Sequence, residues 1–244
     1  MAHLYYTEQS LAGSPDSVSL EGDEARHAAS VARLRVGETV AVSDGLGWIA
    51  QGVASAVSPT HVTLDVSAIR EPAVATPTLT LIQALAKGDR DELAVQMCTE
   101  LGATEIIPWQ TERSISRWSG EKQAKGRARW ATIAREASKQ AMRATIPTIT
   151  DVVSTTQLVN VVKNRTVIVL DPRAPQTLGE WARTHTTETD IAVVVGPEGG
   201  ISPAEMESLL AAGAVGIRIG DNVLRTSTAG AASFAALRAI FGQY

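Results

Sequence analysis

The rhythm of apolar and polar positions changes once along this chain, at about Thr78. Before it the two classes alternate. Val62, Leu64 and Val66 are separated by Thr63 and Asp65, the period of a half-buried strand. Strands are predicted at Thr39–Ser43, Gly47–Val57 and His61–Ile69, with Asp44-Gly45 as a hairpin signal. One helix is predicted among them, capped by Asp23, carrying Ala25, Ala28, Val31, Ala32 and Leu34, and ended by Gly37. Short strands with tight turns and little hydrophobic bulk predict a compact β-barrel. Glu71 to Pro77 is the expected linker.

After Thr78, strands alternate with helical stripes, the pattern of a mostly parallel α/β sheet. Strands are predicted at Leu79–Gln83, Thr104–Trp109, Thr166–Leu170, Ile191–Val195 and Val215–Ile219. Between the first two lies a helix framed by Asp89 and Glu92, with Leu93, Met97 and Leu101 on one face and Gly102 at its end. Trp130, Ile133, Ala134, Ala137 and Ala141 form a second stripe. Ser202, Pro203 and Glu205 read as N-cap, first helical residue and capping box of a helix that Gly213 ends, and Ala229 to Phe241 form the last helix. Two domains are therefore expected, at 1–72 and 73–244.

Composition narrows the class. The 244 residues are 44% hydrophobic, which excludes wholesale disorder, and no run of eighteen apolar residues provides a membrane span. The N-terminal residues show no signal-peptide pattern, and the single cysteine, Cys98, excludes an internal disulfide, so a cytoplasmic location is expected. Cys98 falls inside a predicted helix, as a buried structural thiol does. The net charge of −4 is uneven. Met1 to Pro72 holds four Lys/Arg against nine Asp/Glu, whereas Arg113 to Arg143 holds nine basic residues and two acidic ones. A basic island in an acidic protein points to a localised anionic partner.

The chain lacks a dinucleotide fingerprint, a phosphate-binding P-loop and a nucleophile-elbow motif, and its four histidines are too scattered for a metal site. Two glycine turns stand at the ends of buried strands, where α/β proteins bind ligands. The first, Gly196-Pro197-Glu198-Gly199-Gly200, fits either an ordinary strand-to-helix turn or a cradle of exposed backbone groups. Glu198 would repel a phosphate there, so a neutral or cationic ligand suits it better. The second is Gly220-Asp221-Asn222, followed by Val223-Leu224-Arg225-Thr226-Ser227-Thr228. In that segment Arg225 could hold a substrate, or be a solvated arginine before a helix capped by Ser227 or Thr228. The basic island, with Trp118 and Trp130 interleaved, fits nucleic-acid contact or a solvated helix face.

With that spacing between its two turns, the chain resembles the RsmE family of ribosomal RNA methyltransferases, in the SPOUT superfamily. Further matches are Arg26-His27 with Arg33-Leu34-Arg35-Val36-Gly37, Gln83 to Gly88, Glu100-Leu101-Gly102-Ala103, Glu112-Arg113-Ser114, and Arg129-Trp130, Glu136-Ala137, Gln140 and Arg143 through Ile146-Pro147. The resemblance implies a PUA-like RNA-binding barrel at 1–72 and a SPOUT α/β domain at 73–244 with a deep trefoil knot. It implies a homodimer that uses S-adenosylmethionine (SAM), and no metal, to methylate N3 of one uridine of 16S rRNA in the assembled small ribosomal subunit. By similarity, Leu170, Gly196, Pro197, Glu198, Gly199, Gly200, Ile219, Gly220, Leu224, Arg225 and Thr226 would line the SAM pocket. Arg225 would stabilise charge on the uracil and Glu198 could accept its proton. Arg26, His27, Arg33, Arg35, Arg113, Arg117, Arg129, Arg135, Lys139 and Arg143 would meet RNA. Most relatives in that family carry glutamate where this chain has Ser227, so no carboxylate role transfers to that position. Two other readings stay open: a SPOUT enzyme acting on another RNA base, and a non-catalytic RNA-binding assembly factor.

Overall fold

The computed structural model describes residues 4–72 and 75–243. These form two compact units, one of Met1–Val74 with Ser138–Ile146, the other of Ala75–Ala137 with Pro147–Tyr244. A single cut at residue 72 thus leaves out an excursion, in which 138–146 packs with the first unit.

The first unit is a five-stranded sheet of β1 (Leu4–Tyr6), β2 (Ser17–Glu21), β3 (Thr39–Ser43), β4 (Ile49–Val57) and β5 (His61–Arg70), in the order β1-β3-β4-β5-β2. β1 and β2, which alternation alone does not reveal, are the two edges. Side chains span the gap between them: the Thr7 hydroxyl donates to the Ser19 carbonyl at 2.9 Å and Gln9 Nε2 donates to the Ser17 carbonyl at 3.2 Å. The Asp44-Gly45 turn forms as expected, with Gly45 at φ 75° and Asp44 accepting from the Leu46 N–H. The excursion seats here, since Ser43 Oγ and the Gly47 N–H both donate to the Ala144 carbonyl.

The helix expected from Asp23 to Leu34 is broken. α1 (Gly22–Arg26) runs into a π-helical turn at His27–Val31. The wider turn rotates the 3.6-residue face, so Ala25 and Ala28 are buried while Val31 is 67% exposed. Asp23 lies inside the first turn, beside Arg26, and caps nothing.

The second unit is a parallel sheet in the order β12-β10-β11-β6-β7-β8. Its strands are β6 (Thr78–Ala84), β7 (Ala103–Gln110), β8 (Thr148–Ile149), β10 (Thr166–Leu170), β11 (Asp190–Val195) and β12 (Val215–Ile217), with β9 (Val153–Ser154) also on β7. Ile191, Val193 and Val195 face one core and Ala192 and Val194 the other, which explains the unbroken apolar run of that central strand. The first core is covered by α2 (Arg90–Glu100), α3 (Glu121–Gln140), α5 (Leu178–Thr184) and α7 (Thr226–Ile240), the second by α4 (Thr155–Val162) and α6 (Pro203–Ala211). On α2 the buried face is Ala94, Val95 and Cys98, and Leu93 is 43% exposed. The larger side chains give way because α7 lies close: a Cβ on Gly230 would sit 3.1 Å from Cys98 Sγ and 2.9 Å from Leu81 Cδ1. Burial pushes the Cys98 thiol up, which keeps it inert as expected.

Candidate functional site

Three strands of the second unit end side by side, and their following turns enclose two cavities. β10 ends at Leu170, β11 at Val195 and β12 at Ile217. The smaller cavity, about 50 Å³, lies against Leu170, Ile217, Ile219, Val223 and Leu224, with Gly220 at its edge. It is an apolar slot. A Cβ on Gly220 would meet nothing within 4 Å, so the backbone there faces open space. The larger cavity, about 330 Å³, lies against Gly196, Pro197, Glu198, Gly200 and Arg113, and shares Leu170, Asp171, Pro172, Val223 and Ala229 with the slot.

The local sequence dictates the first turn. Gly200 takes φ 71° and donates to the Pro197 carbonyl at 2.8 Å, closing a tight turn. A Cβ on Gly196 would lie 2.8 Å from Ile201 Cγ1, so only glycine fits there. Ser202 and Glu205 then form the expected capping box of α6. Glu205 has further duties, accepting from the Glu112 N–H at 2.8 Å and from the Thr155 hydroxyl at 2.7 Å. Burial raises its pKa, but these bonds outweigh burial and hold the carboxyl below its ordinary value. The loop carrying Arg113 is thereby tied to the first turn, and Arg113 Nη1 donates to the Gly199 carbonyl at 3.0 Å.

Glu198 is committed. Its Oε1 accepts from Arg90 Nη1 at 2.7 Å and from the Lys87 N–H at 3.1 Å. Burial pushes its pKa up, yet Arg90 and the backbone donors bring it down overall. A carboxylate so stabilised is a poor proton acceptor; the geometry makes it a strut between α2 and the turn. Arg90, beside the Lys87-Gly88 segment, carries no local motif that marks it for this site, because its partner Glu198 is 108 residues away. Asp171, Pro172 and Arg173 also line the cavity without being among the expected residues, although Asp171-Pro172 stands just past a predicted strand. Arg173 holds Asp171 through Nε and Nη2 at 3.0 and 3.2 Å. Burial alone would raise the Asp171 pKa, but these bonds lower it, so the cavity presents an ionised carboxylate beside a guanidinium.

Thr226 lines neither cavity. It is buried below them, donating to the Gly196 carbonyl at 2.8 Å and accepting from Gln83 Nε2 at 2.9 Å, and so locks the start of α7 to the ends of β11 and β6. Arg225 is the N-cap residue of α7 and is exposed, outside both linings. Ser227 is buried in the first turn of α7 and caps nothing.

Comparison with known proteins bears on this pair of cavities. An RNA methyltransferase domain family matches residues 74–238, and an RNA methyltransferase PUA domain family matches 20–67. A Mycobacterium bovis protein named ribosomal RNA small subunit methyltransferase E is 36% identical over 242 residues, covering 97% of this chain and 91% of that protein. This chain belongs to the RsmE family. A Bacillus subtilis protein of the same name is 30% identical over 91% of this chain and 90% of that protein. The solved Neisseria gonorrhoeae member, bound to S-adenosyl methionine, has 26% identity and a TM-score of 0.86, covering 99% of this chain and 98% of its own. A Legionella pneumophila methyltransferase in complex with SAM has 28% identity and the same TM-score, over 98% of each chain.

The basic residues expected to meet RNA divide sharply in this RsmE-family chain. Arg26, Arg33 and Arg35 are exposed along one stretch of the first unit, and Arg26 pairs with Asp23. His27 packs its ring on Tyr5, with centroids 5.9 Å apart. Arg129 is held by Glu92 through Nε and Nη2 at 3.1 and 2.7 Å. Lys139 is enclosed in an ion pair with Glu24 at 3.1 Å, and Arg135 and Arg143 are half-buried. Arg113 and Arg117 are exposed. Trp130 is 1% exposed, so it belongs to the core and offers no stacking face. Among the described residues no helix is long and apolar enough to cross a membrane, and no group of three or more acidic, histidine or cysteine side chains could hold a metal ion.

Proposed function

We propose that this protein is a SAM-dependent ribosomal RNA methyltransferase that methylates N3 of one uridine in 16S rRNA of the small ribosomal subunit. The observation that carries this reading is the pair of joined cavities, because their chemistry divides as SAM divides. The apolar slot of Leu170, Ile217, Ile219 and Leu224 suits a flat adenine. The larger cavity, with Asp171 and Glu198 against Arg113 and Arg173, suits a zwitterionic amino acid and a sulfonium. Both exclude the phosphates of a nucleotide cofactor, for which the carboxylates are wrong.

When bound, SAM supplies an electrophilic methyl group. The chain's own part is to hold the uracil in line with it, exclude water, and stabilise the negative charge that appears as N3 loses its proton. Arg225 serves that charge in this reading. It is exposed for substrate contact and stands at the N-terminus of α7, where the helix dipole adds positive potential. Arg113 and Arg173, on the wall of the larger cavity, add positive charge beside it.

Two further parts of the reading concern architecture. The trefoil knot accounts for the path of residues 218–225, which leave the edge strand β12 and reach α7 beneath Gly196, two strands away. On the way they are tied to the loop after β10, with the Arg218 N–H donating to the Gln176 carbonyl at 3.0 Å and the Leu178 N–H to the Arg218 carbonyl at 2.9 Å. In this reading these residues pass inside that loop, which makes the knot. A homodimer acting in the cytoplasm on the assembled subunit completes the proposal.

The test offers labelled SAM to small subunits lacking the modification and maps the methylated base. Methylation at uridine N3 is expected; label on another base would shift the assignment to a different RNA target, and no label with a bound cofactor would favour an assembly factor. SAM itself is expected to raise the melting temperature, and Gly199→Trp, which drives an indole toward Arg113, is expected to abolish the shift.

A further inference from the structure

The loop that brings Arg113 to the larger cavity continues into a second concavity of about 580 Å³ that the methyl-transfer site does not use. Its lining includes Ser116, Arg117, Trp118, Lys122 and Lys125. No carboxylate is part of that lining. Arg117 Nη2 donates to the Glu112 carbonyl at 2.7 Å, a bond that fixes the guanidinium and leaves its charge uncompensated. The Lys122 ammonium has no partner among the described residues, and Lys125 meets only Glu121, at 3.4 Å with both side chains largely exposed. Elsewhere in the basic island, Arg127, Arg129 and Lys139 are neutralised by Asp151, Glu92 and Glu24. Positive potential is therefore concentrated here.

The concavity is also built. Trp118 lines it, its backbone N–H donating to Gln110 Oε1 at 2.8 Å and its ring in edge-on contact with Trp130, centroids 5.1 Å apart. The indole lies directly on Gly126: a Cβ there would be 2.4 Å from the ring. A glycine inside a 20-residue helix weakens that helix, and here its absence of a side chain is what lets the Trp118 ring pack against it.

We propose that this concavity seats the phosphate backbone of the single-stranded RNA segment flanking the nucleotide to be modified. The proposal rests on the RNA methyltransferase reading. The chain connects the two sites, since Arg113 and Arg117 are four residues apart, at most about 14 Å of extended chain. A strand whose target base enters the larger cavity would carry its neighbouring phosphates along that loop. Three cations around a partly exposed indole fit phosphates with a stacked base better than they fit a run of Asp and Glu side chains, which has no ring to lay on the indole.

The test is Lys122→Glu with Lys125→Glu, beside the milder Lys122→Gln with Lys125→Gln, in the full chain. Affinity for a mixed-sequence single-stranded RNA oligonucleotide is read by fluorescence anisotropy across a salt series. The double reversal is expected to weaken binding at least tenfold at 0.1 M salt. The neutral pair should lower the salt slope by about 1.4, at about 0.7 per single-strand phosphate contact. The melting shift given by SAM should stay unchanged in both. Unchanged affinity and slope in correctly folded variants would overturn the proposal, as would a polyglutamate peptide that binds the wild type as tightly as RNA does. Methyl transfer to small subunits separates the two readings. A wild type that binds RNA through this surface but transfers no methyl group leaves the surface standing without the reaction. A wild type and a double reversal that methylate equally at limiting subunit concentration leave the reaction standing without the surface.

Discussion

Arg90 Nη1 lies 2.7 Å from Glu198 Oε1, joining the first turn of α2 to the glycine turn that walls the larger cavity. The pair is partly exposed, so its worth to stability is about 0–1 kcal/mol, and its effect is on the shape of the turn. Glu198→Gln should therefore change the melting temperature little and weaken the SAM-induced shift. With its carboxyl already held low, Glu198 should contribute no limb to the pH–rate profile between pH 5 and 8. A limb present in the wild type and absent in Glu198→Gln would restore Glu198 as the proton acceptor.

Asp91 gives stability an unusual pH dependence. It is buried, it accepts from the Ala86 and Glu92 N–H groups, and burial pushes its pKa to about 6. A folded pKa above the unfolded value, about 3.9, gives stability that is full below that value and lost as pH rises through 6. The loss amounts to roughly 3 kcal/mol. Urea denaturation at pH 4 and pH 7.5 should show the wild type losing ground to Asp91→Asn by this order of magnitude; a pH-independent difference would show that Asp91 titrates normally.

Lys139 and Glu24 expose only 12% and 11% of their side chains. Lys139→Glu would set two carboxylates against each other there, and breaking such a pair costs about 3–5 kcal/mol. The melting temperature should fall steeply, while Lys122→Glu leaves it unchanged. RNA binding lost with Lys139→Glu would then report unfolding of the first unit and not the loss of a contact.

Gly126→Ala sets two effects against each other. Alanine in a helix interior gains about 0.5–1 kcal/mol, and pushing the Trp118 ring off its seat costs about 1–3 kcal/mol. The clash, 2.4 Å from Trp118 Cε2, should win. Denaturation should show a less stable protein with altered tryptophan fluorescence; a gain in stability would mean that the indole moves aside freely.

Much of this protein was legible in its sequence because the signals were local. The period of apolar residues places β5, β6, β7, β10 and β11, and the Ser202, Pro203 and Glu205 cap fixes the start of α6, since such features depend on residues a few positions apart. The motif resemblance reached the family for the same reason: position 196 takes only glycine because Ile201, five residues on, crowds its backbone, and Gly200 takes φ 71° to close the turn. What the sequence could not determine depends on partners distant along the chain. Arg90 meets Glu198 and Glu205 meets Glu112 across about a hundred residues. Lys139 looked like one more exposed cation on a helical face until the return of 138–146 to the first unit placed Glu24 against it. Whether a charged side chain serves a ligand or another residue is decided by which strangers the fold brings within hydrogen-bond reach, and only the tertiary structure decides that.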